Sequence, residues 1–307
     1  MSLHIITLHT NAKDSALANW KYSVDTLGYN YEILGRGKTF KGWSWRTSKY
    51  LKAVKYYNTI NPNSVIMLCD AGDLFFIQPP GELLKRFHQI CARENTSVII
   101  SGEMTCCTGI YSNKPYRDNA INTIEEYKNN DINTNKTVTR YMFPNAGSVI
   151  GYASKLVDIL TDIKNEPDDQ AGYLSRYIID RSYVYVDKNQ EITANVNSYD
   201  IKHAVDIRSN YILHYEEMKF YEPTIIQLKI NNIMKDQKVY RNIITNTVPI
   251  VMHYPGGNNV IYNLHGKYIY GDIFNQTSVK FQMFSPKLSI SNMLIPIAHT
   301  VSQILNN

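Results

Sequence analysis

Two aspartates close the run Val65-Ile66-Met67-Leu68-Cys69-Asp70-Ala71-Gly72-Asp73. Val65 to Cys69 is a continuous apolar run, the pattern of a strand buried on both faces. The carboxylates follow at its carboxyl end, where open α/β sheets bind ligands. Neighbouring carboxylates repel unless a cation lies between them. A hard cation, Mg²⁺ or Mn²⁺, suits oxygen ligands, and such an ion commonly holds a substrate phosphate. The stretch points to a nucleotide-diphosphate site. Its other reading is a solvated turn. A phosphatase of the Asp-x-Asp type is disfavoured, because the second acid comes one place too late.

Three further constellations carry chemistry. In Val248-Pro249-Ile250-Val251-Met252-His253-Tyr254-Pro255-Gly256-Gly257 an apolar strand ends in a histidine and a flexible turn. Imidazole is a good further ligand for Mn²⁺, and backbone amides around Gly256 would approach a phosphate; alternatively His253 bonds only to backbone. In Pro144-Asn145-Ala146-Gly147-Ser148, Asn145 offers hydrogen bonds to sugar hydroxyls or serves the turn alone. In Asp168-Asp169-Gln170 the acids either cap a helix, with Asp169 as the expected N-cap, or orient a sugar and remove an acceptor proton.

The elements that must position these groups are legible in order. Strands are expected at His4–Leu8, Tyr31–Leu34, Val65–Cys69 and Ser97–Ile100, with helices near Ser15–Leu27 and Trp45–Asn58 and after Pro79-Pro80-Gly81. This β-α-β-α rhythm predicts an α/β fold with a doubly wound, mostly parallel sheet. From Cys106 to about Arg140 the pattern fades into polar, Asn-rich sequence, expected as a long surface excursion. A helix with Leu156, Ile159, Leu160 and Ile163 on one face follows, then short strands of more antiparallel character at 183–253. Leu294, Ile297, Val301, Ile304 and Leu305 mark an amphipathic C-terminal helix, expected to dock on this chain, with pairing in a homodimer second and contact with a membrane surface third.

The chain has 307 residues, enough for a full core, and 32 basic against 27 acidic residues, giving +5. The basic residues are dispersed, which argues against a nucleic-acid face, while a mild positive excess suits an anionic nucleotide. No apolar run approaches a membrane span. The N-terminus lacks the features of a signal peptide, so a cytoplasmic location is the expectation. The four cysteines form no C-x-x-C pair, so a zinc ribbon is not expected; Cys69 reads as a core residue.

In this order the motifs resemble the collagen-modifying glycosyltransferases, the N-terminal glycosyltransferase domain of procollagen lysyl hydroxylases, and more distantly procollagen galactosyltransferases. The resemblance runs over roughly residues 3 to 270. It includes Leu68–Asp73 with Gly81–Phe87, Ser101-Gly102-Glu103, Asn145-Ala146-Gly147 with Ile150-Gly151-Tyr152, Asp168–Gln170 with Tyr173, and Pro249–His253. It implies a GT-A-like domain over 1–270, with 271–307 as a C-terminal helical extension. It also implies a UDP-sugar donor, Mn²⁺ (or Mg²⁺), and a hydroxylysine or galactosyl-hydroxylysine acceptor in a collagen-like protein. Asp70, Asp73 and His253 then resemble the metal ligands, Leu8 and Thr10 uridine contacts, Asn145, Asp168, Asp169 and Gln170 the donor-sugar pocket, and Gly256 a diphosphate contact. Asp168 or Asp169 would be catalytic. Trp43, on a loop spanning Gly35 to Lys49, would help cover the nucleotide. Asn259 stands where the family has a phosphate-binding lysine, so Arg46, Lys49 or Lys267 would supply that charge. The alternatives are the same donor chemistry on a glycan or lipid, or a non-catalytic nucleotide-sugar-binding scaffold.

Overall fold

The computed structural model describes residues 2–11, 13–103, 141, 143–179, 182–196, 221–230, 232–255 and 259–274. The expected excursion at 106–140, the C-terminal helix at 294–305, Cys106, Cys107 and Gly256 lie outside the described residues.

Strand β1 (Leu3–Leu8) leads into helix α1 (Ser15–Leu27), β2 (Tyr31–Leu34), helix α2 (Trp43–Ile60) and β3 (Val65–Cys69). The Asp14 carboxylate starts α1 by accepting from the Ala16 amide at 3.0 Å, and Gly28 ends it in the left-handed region at φ 80°. A short β4 (Leu74–Phe76) precedes helix α3 (Pro80–Glu94) and β5 (Val98–Glu103). The chain returns in β6 (Phe143–Tyr152), helices α4 (Ala153–Ile163) and α5 (Asp169–Ile179), β7 (Val184–Asp187) and β8 (Thr193–Asn195). A ribbon of β9 (Tyr221–Ile230) and β10 (Ile233–Asn242), then β11 (Val251–His253) and helix α6 (Asn259–Tyr270), complete the order.

The main sheet runs β2-β1-β3-β6-β5-β7. Its neighbours pair in parallel except around β6, which is antiparallel to both β3 and β5. A second sheet, β4-β11-β8, stands at the carboxyl end of β3. The two faces of the main sheet are both covered, as the continuous apolar strands require. Ile5, Met67 and Cys69 pack under Trp20, Val24, Leu83 and Phe87. Ile6, Ile66 and Leu68 pack under Tyr50, Val54, Leu156 and Ile159 on the other face. All five residues of β3 are buried, each side chain contributing about 1.5–3 kcal/mol. Rigidity at this strand is what fixes the aspartates that follow it.

The core reaches past residue 270, because Phe274 is buried against Tyr262 and Tyr270. No helix among the described residues is long and apolar enough to cross a membrane.

β6 carries the feature that shapes the site. Its pairing with β5 jumps from Ile100↔Val149 to Ser101↔Asn145, so Ala146, Gly147 and Ser148 bulge out of that ladder. The Asn145 side-chain oxygen accepts from the Gly147 amide at 2.8 Å and holds the bulge. The sequence predicts a turn before the strand here; the structure places the turn inside it.

Candidate metal and nucleotide site

Three strands deliver three side chains to one point. Asp70 follows β3 and its amide donates to the Gly147 carbonyl at 2.9 Å. Asp73 precedes β4, and its carbonyl accepts from the Tyr254 amide at 2.8 Å. His253 ends β11, opposite Leu74 of β4 and beside Asn195 of β8. The two backbone bonds tie the carboxylate turn to its neighbours on both sides. One ligand atom from each of Asp70, Asp73 and His253 lies within 4.8 Å of the others, a group that could hold a metal ion.

His253 is 1% exposed. Its Nδ1 is 2.6 Å from the Asn195 side-chain oxygen. Its Nε2 faces the acids, 3.4 Å from Asp73 Oδ1 and 3.9 Å from Asp70 Oδ2, and is buried without a hydrogen-bond partner among the described residues. Burial works against charge on the ring. The carboxylates of Asp73, then Asp70 and Glu103, outweigh it and raise the histidine pKa above its ordinary value.

Gly147 makes this approach feasible. A Cβ there would stand 2.3 Å from His253 Cε1 and 2.8 Å from Nε2. Only glycine leaves the ring its place.

Arg46 reaches in from α2 with a 7% exposed side chain. Its NH1 donates to Asp70 Oδ1 at 2.6 Å, its Nε to Asp169 Oδ2 at 2.8 Å, and its NH2 lies 2.6 Å from the same Asp169 oxygen. Burial opposes the guanidinium charge, yet Asp70 and Asp169 raise its pKa beyond the usual arginine value. Burial likewise raises the Asp169 pKa, with Arg46 pulling it back down. Arg46 also lies over the Trp43 ring at 4.4 Å.

Asp168, not Asp169, is the N-cap of α5: its Oδ1 accepts from the Gln170 and Ala171 amides at 3.0 and 3.3 Å. Asp169 turns inward instead, because Arg46 offers its buried carboxylate a cation. Both expected catalytic carboxylates are therefore engaged by the protein, and neither lines the cleft.

That cleft has a volume of about 490 Å³, in the range of small-molecule sites. Its lining includes Leu8, Thr10, Trp43, Arg46, Asp70 and Asp73, so these expected residues meet on one surface. Phe40, 5.2 Å from the Trp43 ring in an edge-on pair, adds a second aromatic wall. Lys49 sits 5.7 Å over Trp45 and does not line the cleft. Lys267 lies 3.6 Å from Asp272 and does not line it either.

Asn145 and Gln170 converge on a carboxylate that composition alone does not single out. Asn145 Nδ2 donates to Glu103 Oε2 and Gln170 Nε2 to Glu103 Oε1, each at 2.8 Å. Glu103 is fully buried at the end of β5. Sequence reasoning finds it only within Ser101-Gly102-Glu103. It misses Asn195, which lies in the short mixed run Ile192-Thr193-Ala194-Asn195-Val196 and carries no signal of its own.

Comparison with known proteins places the chain in a family. The profile of the PLOD GT domain family matches residues 1–279. Procollagen-lysine,2-oxoglutarate 5-dioxygenase 1 of Gallus gallus is 22% identical over 276 residues, 87% of this chain and 32% of that protein. Uncharacterized protein R699 of Acanthamoeba polyphaga mimivirus is 23% identical over 179 residues, 56% of this chain and 35% of that protein. The chain thus spans about a third of the length of these curated relatives. Among solved structures, a glycosyltransferase involved in glycosylation of the major capsid of PBCV-1 gives a TM-score of 0.46 at 10% identity, covering 88% of this chain and all of that one. The galactosyltransferase LgtC, in complex with donor and acceptor sugar analogues, gives 0.36 at 11% identity over 82% of this chain and 87% of that one. On the family profile, which spans nearly the whole chain, this protein belongs to the PLOD GT domain family.

Proposed function

We propose that the chain transfers a hexose, glucose or galactose, from a UDP-sugar to a hydroxyl group, with a divalent cation held by Asp70, Asp73 and His253. The observation that carries this reading is the buried Nε2 of His253, which has no hydrogen-bond partner among the described residues and is aimed at two carboxylates. A buried polar atom left unpaired costs about 1–3 kcal/mol, which a ligand at that point would recover. Two carboxylate oxygens and an imidazole favour Mn²⁺, with Mg²⁺ second.

When bound, the cation supplies a Lewis acid that stabilises charge on the departing UDP. The chain's own groups do the positioning. Arg46 clamps Asp70 and Asp169 into one rigid unit. Trp43 and Phe40 offer ring faces to the nucleotide, and Leu8 and Thr10 offer the end of β1. Glu103 orients the Asn145 and Gln170 amides. The acceptor we favour is hydroxylysine or galactosyl-hydroxylysine in a collagen-like protein. Its support is the family and the name of the Gallus gallus relative.

The test is UDP release from UDP-glucose and UDP-galactose, with and without Mn²⁺, and with a hydroxylated collagen peptide, a glycan or a lipid as acceptor. Loss of release in Asp73→Ala and His253→Ala is expected. Undiminished turnover in both variants removes the metal reading, and transfer to the glycan or lipid alone removes the collagen acceptor.

A further inference from the structure

We infer that Asn195 is a positioning residue that locks His253 in one tautomer, with the proton on Nδ1 and the Nε2 lone pair turned toward Asp70 and Asp73. The inference rests on the metal reading for its purpose, but the hydrogen-bond logic stands without it.

The chemistry of the partners forces the assignment. The Gly102 carbonyl can only accept, and it lies 2.8 Å from the Asn195 amide nitrogen. That nitrogen must therefore face Gly102, which leaves the Asn195 oxygen facing His253 Nδ1 at 2.6 Å. An amide oxygen can only accept, so Nδ1 must carry the hydrogen. In the neutral ring Nε2 is then the bare acceptor, the form in which imidazole binds a metal. A metal-binding histidine commonly donates its other N–H to such an orienting partner.

Asn195 is itself immobilised. It pairs with His253 across the β8–β11 ladder. Its carbonyl accepts from the Gln190 side-chain amide at 3.2 Å, and the Val196 amide donates to the His253 carbonyl at 2.8 Å. Gly102 is closely packed as well, since a Cβ there would meet the Tyr141 and Asp187 carbonyls at 2.5 and 2.7 Å and only glycine fits. The amide is thus held from two sides before it touches the ring. Gly102 also precedes Glu103, so one side chain joins the metal end of the site to the carboxylate that orients Asn145 and Gln170.

The experiment uses the full chain labelled with ¹⁵N-histidine, in three forms: wild type, Asn195→Ala and Asn195→Asp. Multiple-bond nitrogen spectra of the metal-free protein, followed up in pH until the His253 signals stop changing, report its tautomer in the neutral ring; Mn²⁺ titration reports affinity. His253→Ala assigns the resonance. Wild type should show the Nδ1–H form. Asn195→Ala should lose that preference and bind Mn²⁺ about 10–100-fold more weakly. Asn195→Asp keeps an acceptor toward Nδ1 but replaces the donor toward Gly102 with a charged oxygen. It should retain the tautomer, whereas a merely structural role predicts that it fails as badly as alanine. A wild type in the Nε2–H form, or an alanine variant with unchanged tautomer and affinity, overturns the inference. Should wild type take up no Mn²⁺, the metal reading fails and the tautomer spectra alone decide the role of Asn195.

Discussion

Gly147→Ala is the sharpest perturbation available, because one methyl group addresses both the ion and the fold. The added Cβ would lie 2.3 Å from His253 Cε1, and ordinary contact begins near 3.4 Å. The ring would have to retreat by roughly 1 Å, a displacement that can cost about 100-fold in rate when it misplaces a reacting constellation. Retreat is blocked by Asn195, 2.6 Å from the opposite nitrogen, so the strain must spread into β6 or β11. Overpacking of this kind costs about 1–3 kcal/mol of stability. The Gly147 carbonyl also accepts from the Asp70 amide, so a moving bulge drags a second ligand with it. Expected, then, are a fall of about 100-fold in UDP release and markedly weaker Mn²⁺ uptake, with a protein that still unfolds cooperatively in urea. Calorimetric Mn²⁺ titration, turnover and a denaturation curve on one preparation would measure all three. Wild-type affinity and turnover in a folded Gly147→Ala protein would refute the packing argument.

Arg46→Ala should cost about 3–5 kcal/mol in chemical denaturation, since it strands the buried Asp169 carboxylate; Arg46→Lys should recover little, because an ammonium cannot fork to both acids. Equal stability of wild type and Arg46→Ala would count against the clamp. Trp43→Ala, removing an aromatic wall of the cleft, should raise the KM for UDP-sugar by about 5–10-fold and leave kcat nearly intact; a change in kcat alone would contradict a binding role. Acid stability should depend on His265, buried with Nδ1 2.8 Å from the Tyr254 hydroxyl. Burial lowers its pKa from 6.5 to about 3. The unfolded chain takes up a proton below 6.5 that the folded chain refuses until about 3. Stability present at neutral pH is therefore lost as pH falls through that window, by about 2 kcal/mol between pH 6.5 and 5. Denaturation of wild type and His265→Phe at both pH values tests this: the variant should lose less, and identical losses would rule out the histidine as the cause.

The convergence of Asp70, Asp73 and His253 was legible because they follow apolar runs. Val65–Cys69 and Val248–Met252 have the pattern of buried strands, and a polar residue at such an end has few structural uses. The strand–helix alternation to Ile100 was legible for the same reason: each element carries its own periodicity. What escaped was decided across strands. That Asp168 rather than Asp169 caps α5 depends on where Arg46 arrives from α2. The bulge at Ala146–Ser148 is a register event between β5 and β6, invisible in either strand alone. Asn195 lies in a strand of three residues, too short for any period, and its role exists only through Gly102 and His253.

The reversed direction of β6 has an architectural consequence. Because it runs against β5, Glu103 pairs directly with Phe143, so the polypeptide departs from and re-enters the sheet at adjacent points on the edge that bears the ligands. A change in chain length between those two points need not shift any rung of the ladder from Glu103–Phe143 down to Val98–Gly151.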